Sequence, residues 1–340
     1  MGYKKTKEAL EKRRKKRRRA FACVVAVLLV TLSGFSAVYP PNTWKYYVNL
    51  PALEQRGYGE ARIHFLDVGQ GDSVLLELPD GKVMLIDGGN ATQEAANVIL
   101  RHLNKLKINT IDYLVVTHVD TDHCGALDLV LEHKTVLNAY LPAISVDSVD
   151  SEYANFYAKL LAEEGCNREY SKRSISLSNK EGAFPYTLQF LHPYTVDTKE
   201  ENWDANTKKD SNSLSAILWF DYMGASALFM GDAPASIEEK FIAESEMGFI
   251  SEYGVDLRST EILKVSHHGS NTATTASFLE YLRVKTAVIS CGRNNTYGHP
   301  SVEVMQNLAA VGATVHRTDM LGSIVISIER DGRYGVSVAK

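Results

Sequence analysis

Residues 115–127 read VVTHVDTDHCGAL, an apolar run followed by two histidines and two aspartates within six positions. Carboxylates two residues apart repel each other, and each of these groups needs water or a partner, so the crowding calls for a cation held among them. In a segment leaving a strand, His118, Asp120 and Asp122 project to one side at period two, while His123 adds a second direction as the chain turns into the next helix. That geometry suits two adjacent ions. One Zn²⁺ takes only three or four protein ligands, so a pair of metals needs donors from elsewhere in the chain.

The sequence supplies them. FMGD ends an expected strand on Asp232, KVSHHGS ends one on His267 and His268, and NNTYGHP presents His299 after a strand and loop. Each stands just past the carboxyl end of a strand, where α/β sheets form their ligand sites. The bland readings are a solvated loop for residues 118–123, a turn for Asp232 and a helix start for His299; four ligand residues at this spacing argue against the first. His64, His102, His133, His192 and His316 read as core-edge or surface histidines. GQGD, with Asp67, Gln70 and Asp72, either cradles phosphate through backbone amides or is a tight hairpin.

Working outward, RIHFLDV, SVLLEL and VMLIDGG are short strands separated by the turns GQGD and PDGK, a β meander. TQEAANVILRHLNKLKI then spaces Ala95, Ile99, Leu103 and Leu106 as the apolar face of a helix. Downstream, strands such as DYLVVTH, AILWFDY, SALFMGD, TEILKVSHH and TAVISCG are interleaved with helices over SEYANFYAKLLAEEG, TASFLEYLR and SVEVMQNLAAVG, and SIVISIE and YGVSVAK close on an RDGR hairpin turn. This order implies sheets with helices on their outer faces. At 340 residues and 45% hydrophobic content the chain is globular.

The amino terminus is different in kind. Residues 1–19 hold eleven Lys and Arg against Glu8 and Glu11, and residues 20–39, AFACVVAVLLVTLSGFSAVY, carry no charge. A 20-residue apolar run covers the ~30 Å of a bilayer core, so residues 20–39 read as a transmembrane anchor behind a basic cytoplasmic tail. Tyr39, Trp44, Tyr46 and Tyr47 suit the far interface, residues 40–59 a linker, and residues 60–340 an exported domain. A cleavable signal peptide is the rival reading; the run is longer than a usual h-region and lacks a clean small-x-small site. Removing the basic head leaves 26 basic against 39 acidic residues, −13, on the remainder. Cys23, Cys124, Cys166 and Cys291 show no CxxC spacing, and nothing suggests a disulfide framework.

THVDTDHCG resembles the HxHxDHxG signature of the metallo-β-lactamase fold hydrolases, with Asp120 where the second histidine usually stands. HFLDVGQGDSVLLELPDGKVMLIDGG, DSNSLS, LFMGD, LKVSHHGS, CGRNNTYGHP and VHRTDMLGSI narrow the likeness to the extracellular hydrolase domain of ComEC-type competence proteins, over about residues 60–328. The resemblance implies an αββα four-layer sandwich, one metal site from His118, Asp120 and one of His267 or His268, and a second from Asp122, His123 and His299, with Asp232 bridging. Asp87 is then expected to hold a ligand histidine in its tautomer, and Arg293 and the amides around Asn294 to meet a substrate phosphate. The histidine usual between the first motif and the bridging aspartate is missing; the matching stretch reads KDSNSLS. Three carboxylates among seven ligands make Mn²⁺ a competitor to Zn²⁺.

Two such cations, ~3.5–4 Å apart, would acidify a shared water and clamp phosphodiester oxygens, with Asp232 orienting the nucleophile and the spare imidazole of the HHGS pair contacting phosphate or protonating the leaving oxygen. DNA is the first substrate expectation. A phosphodiester of the cell envelope, choline-phosphate or teichoic acid, is the second, because −13 opposes a nucleic-acid binder. The third is a metal-binding module without turnover. β-Lactam hydrolysis is disfavoured by the absence of a GHT-like third motif.

Overall fold

The computed structural model describes residues 2–38, 41–145, 148–194 and 208–339. Two units emerge, 1–49 and 50–340. In the first, basic head and apolar run form one continuous helix, Gly2–Val38. Within its stretch Glu11–Ala37 the helix is long enough, and past Arg19 apolar enough, to cross a membrane. A 3-10 turn, Pro41–Tyr46, follows, and the Trp44 ring lies 5.6 Å from that of Phe35. Tyr39, expected at the interface, lies outside the described residues.

The second unit is the αββα sandwich anticipated from sequence. One sheet has eight strands: β1 (Ala61–Phe65), β2 (Val74–Glu77), β3 (Val83–Ile86), β4 (Thr110–Val115), β5 (Thr135–Leu141), β6 (Asn167–Tyr170), β13 (Ser323–Ile328) and β14 (Tyr334–Ala339), in the order β14-β13-β1-β2-β3-β4-β5-β6. The other has six: β7 (Tyr186–His192), β8 (Ile217–Tyr222), β9 (Ala225–Phe229), β10 (Ile262–Lys264), β11 (Thr286–Ile289) and β12 (Thr314–Arg317), in the order β12-β11-β10-β9-β8-β7. Alternating side chains explain the layering. Val74, Leu76, Met84 and Ile86 of the first sheet meet Leu188, Leu218, Phe220 and Phe229 of the second, while the intervening Leu75 and Leu85 pack outward on Ala95, Ile99 and Leu103 of the helix Gln93–Lys105. Leu228 and Leu263 face the opposite outer layer, with Phe241 and Phe278. Strands covered on both faces read as unbroken apolar runs, which is how VLLE and VMLI read.

Strand direction positions the site. β3, β4 and β5 run parallel in the first sheet, and β9, β10, β11 and β12 run parallel in the second. Their carboxyl ends therefore share an edge within each sheet, and the segments after β3, β4, β9 and β10 are the ones that carry Asp87, residues 118–123, Asp232 and the His267–His268 pair. Several elements escaped the sequence reading, among them β5, which carries Asn138 in mid-run. β6 is NREY, an exposed polar edge strand; β7 carries Gln189 and His192 in its run; the helix Ala235–Glu246 buries only Glu238 and Phe241 and so has a narrow apolar stripe.

Candidate metal centre

β4 delivers the first ligands through Thr117. Its backbone N–H and its hydroxyl donate to the two carboxylate oxygens of Asp87, at 2.8 and 2.7 Å, and its hydroxyl oxygen lies 3.0 Å from Nδ1 of His118. Nδ1 of His123 is 2.8 Å from Asp87 Oδ2. Both imidazoles are thereby held by Nδ1, leaving both Nε2 atoms directed away from Asp87, as metal-ligating histidines require. Asp120 is the last extended residue: its carbonyl accepts from the amides of His123 and Cys124, and the turn Thr121–Cys124 begins. The period-two projection therefore stops at Asp120, whose Oδ2 is 3.8 Å from His118 Nε2. Asp122 does not point along that face; one turn of helix swings it to His268, at 3.2 Å from Nε2.

The second sheet brings Asp232, only 3% exposed, into the centre. Its Oδ1 is 3.2 Å from His123 Nε2, and its Oδ2 is 3.6 Å from Nε2 of both His267 and His268 and 3.9 Å from that of His118. His267 and His268 both adopt left-handed backbone, φ 47° and 54°, which splays consecutive rings apart. His268 is buried, with Nδ1 3.0 Å from Ser290 O; His267 is the more accessible, its side chain 26% exposed. His268 thus sides with Asp122, and His267 stands with His118 around Asp232 Oδ2. The His299 ring lies 5.7 Å from that of His267 and 6.1 Å from that of His268. Its backbone is fixed by Asn295, which accepts from the His299 amide and donates to its carbonyl.

The donors fit divalent cations. His118 Nε2, His123 Nε2, His268 Nε2 and Asp232 Oδ1 are buried without a hydrogen-bond partner, a costly state for polar atoms unless something else satisfies them. Donors ~2.0–2.2 Å from one ion at angles of ~90–120° stand ~3–3.6 Å apart, which the 3.2 and 3.6 Å separations match and the 3.8 and 3.9 Å ones approach. Charge follows the same logic. Burial opposes ionisation of Asp122 and Asp232, but neighbouring histidines outweigh it and hold both carboxyls below their ordinary range. Burial and then the charge of His123 push His118 down, while Asp232 and Asp72 overcome burial to lift His268 to about 10. Protons stand in for a cation at this cluster, and metal uptake would release them.

Two residues enter the site in roles that the sequence did not assign. Asp72, 3% exposed, lies 3.3 Å from Nδ1 of His268, and four donors, Asp72, His123, Asp232 and His268, fall within 4.8 Å of one another. Ser211, in the stretch that lacks the usual histidine, donates to Asp120 Oδ1 at 2.8 Å. In the GQGD turn the Asp72 amide donates to Asp122 O and Gly69 N to Asp67 Oδ1, so neither of these two is open to a phosphate. Arg293 is exposed and donates to Asp319 O, and Asn294 sits exposed at φ 58° on the loop leading to His299; no hydrogen bond or ion pair joins either to the cluster.

The metallo-beta-lactamase superfamily model matches residues 66–293. ComE operon protein 3 of Bacillus subtilis (strain 168) is 31% identical over 282 residues, 78% of this chain and 33% of the relative. Competence protein ComA of Neisseria gonorrhoeae is 29% identical over 273 residues, covering 80% and 33%, and Recombination protein 2 of Haemophilus influenzae 26% identical over 272 residues, covering 79% and 29%. The chain thus spans about a third of the length of these curated relatives. Two facing sheets with helices outside, a histidine–aspartate cluster at their shared edge and a family match across most of the second unit lead to one conclusion: the chain belongs to the metallo-beta-lactamase superfamily.

Proposed function

We propose that this protein is a membrane-anchored, metal-dependent phosphodiesterase of the nuclease type that acts on DNA outside the cell. The observation that carries the proposal is Asp232, a buried carboxylate within 3.2–3.9 Å of the Nε2 atoms of four histidines drawn from two segments, His118, His123, His267 and His268. His118, Asp120, His267 and Asp232 would hold one divalent cation, and Asp122, His123, His268, His299 and Asp232 a second, either Zn²⁺ or Mn²⁺. Such cations supply Lewis acidity toward phosphate oxygens and an ionised water at neutral pH. The chain's own groups do the rest. Asp232 fixes the histidines that surround it, and Asp87 and Thr117 keep His118 and His123 in one tautomer. Arg293, on the loop before His299, is the candidate to receive a substrate phosphate.

The names of the competence and recombination relatives support DNA as substrate, and the apolar helix with its basic flank supports anchoring with the second unit outside. A second reading rests on charge: −13 beyond residue 19 favours a small phosphodiester of the envelope over a polyanion. Both are tested together on the full chain in detergent, loaded with Zn²⁺ or Mn²⁺ and offered single- and double-stranded DNA, a bis-aryl phosphodiester and a choline phosphodiester. DNA cleavage that Asp122→Ala abolishes is the expected result. Cleavage of small esters alone selects the envelope reading, and bound metal without turnover of any substrate overturns both.

A further inference from the structure

We infer that Asp72 and Lys264 form a buried clasp between the two sheets that positions His268, and so governs how tightly the centre holds its cation. Asp72 ends the GQGD turn between β1 and β2; Lys264 ends β10 in the opposite sheet. Their side chains are 4% and 2% exposed, and Lys264 Nζ lies 2.5 Å from Asp72 Oδ2, with its remaining hydrogen bond to Val265 O. A lysine and an aspartate are rarely buried this completely, and the pair is costly unless another role retains it. That role is visible in the second oxygen. Asp72 Oδ1 faces Nδ1 of His268 at 3.3 Å, on the side of the ring opposite the Nε2 that faces Asp122 and Asp232.

With Oδ2 engaged by Lys264 and Oδ1 behind the imidazole, Asp72 acts as an outer partner of the ligand rather than as a further ligand. Ser290 O accepts the Nδ1 hydrogen, and the Asp72 carboxylate 3.3 Å from Nδ1 favours that tautomer by its charge, which leaves the Nε2 lone pair for the cation. The Asp72 backbone is locked to the same centre, its amide donating to Asp122 O and its carbonyl accepting from Gly89 N. Position therefore passes from β10 through Lys264 and Asp72 to the ring of His268. The inference rests on the metal-centre reading above, and uptake by the wild-type protein tests that reading separately.

The measurement is affinity for Zn²⁺ and Mn²⁺ of the metal-stripped full chain in detergent, by competition with a chelating dye, paired with thermal melting and the visible spectrum of the Co²⁺ form. Asp72→Asn, close to isosteric, is expected to weaken binding 10- to 100-fold and shift the Co²⁺ bands. The same substitution in a His268→Ala background is expected to change affinity less than twofold, because the ring it positions is gone. The double variant Asp72→Asn/Lys264→Met removes the buried charge as a pair; it is expected to melt near wild type yet bind metal as weakly as Asp72→Asn. Wild-type affinity in Asp72→Asn, full recovery of affinity in the double variant, or an equal loss without His268 would make the clasp purely structural and overturn the inference. A wild-type protein that takes up no metal would overturn the metal-centre reading itself, and the inference with it.

Discussion

Asp87 sits at φ 59°, a left-handed conformation that aspartate and asparagine tolerate better than other non-glycine residues, directly after the apolar strand β3. Its two oxygens serve Thr117 and His123 at once. Asp87→Asn keeps the backbone preference but replaces one acceptor with an N–H₂ donor, which cannot receive the Nδ1 hydrogen of His123. The expected outcome is a 10- to 100-fold loss of metal affinity with little change in melting temperature, read by metal titration and calorimetry on the same preparation. Gly71 makes the converse case. At φ 135°, a Cβ there would come within 2.2 Å of Asp122 O, so Gly71→Ala must push the GQGD turn off the Asp122 segment. A cost of about 1–3 kcal/mol is expected in denaturant unfolding, together with weaker metal binding. An unchanged unfolding midpoint would mean that the turn moves freely.

At the scale of elements, the helix Gln93–Lys105 shows how a packed face acquires a pH dependence. Thr92 caps it by accepting from Ala95 N, and its buried face includes His102 among the aliphatics. Burial, and then the charge of His64, push His102 down to about 3 from an ordinary 6.5. Because the folded value lies below the unfolded one, the unfolded chain binds the extra proton between those limits. The stability contributed by neutral His102 is therefore complete above pH 6.5 and drains away as the pH falls toward 3. Between pH 6.5 and 4 the loss is about 3 kcal/mol. His102→Phe is expected to lose about that much less than wild type when unfolding is compared at pH 7 and pH 4. Equal losses would show that other groups carry the acid sensitivity. This helix was legible in sequence because its apolar spacing is long and regular, and β2 and β3 because both of their faces are buried. β6 and the helix Ala235–Glu246 were not, since polar edge elements follow tertiary demands that no local pattern records. The site divides in the same way. His118, Asp120, Asp122 and His123 advertise themselves by crowding, whereas Asp72 and Lys264 stand 192 positions apart and become a pair only when two sheets face each other.

The whole second unit depends on that facing. The first sheet contributes Asp72, His118, Asp120, Asp122 and His123 to one edge, and the second contributes Asp232, His267, His268 and His299, so a cation bound among them ties the sheets together at their rim. Without it, Asp72, Asp122 and Asp232 keep their negative charge against burial, with histidine protons and Lys264 as the nearby compensation. A ligand that binds only the folded state stabilises it by about 2.7 kcal/mol at a hundredfold excess over its dissociation constant. For domains somewhat smaller than this one, each kcal/mol moves the melting temperature by roughly 2–4 °C, so chelation should lower it by about 5–10 °C. The prediction is read by scanning calorimetry of the full chain in detergent before and after chelator, with Asp232→Ala as the variant whose melting chelation leaves unchanged. If wild-type melting also stays put while its metal content falls to zero, the apolar layer between the sheets, from Val74 and Ile86 to Phe220 and Phe229, holds the sandwich alone. Binding energy at the edge would then be spent on ordering the ligand segments rather than on joining the sheets.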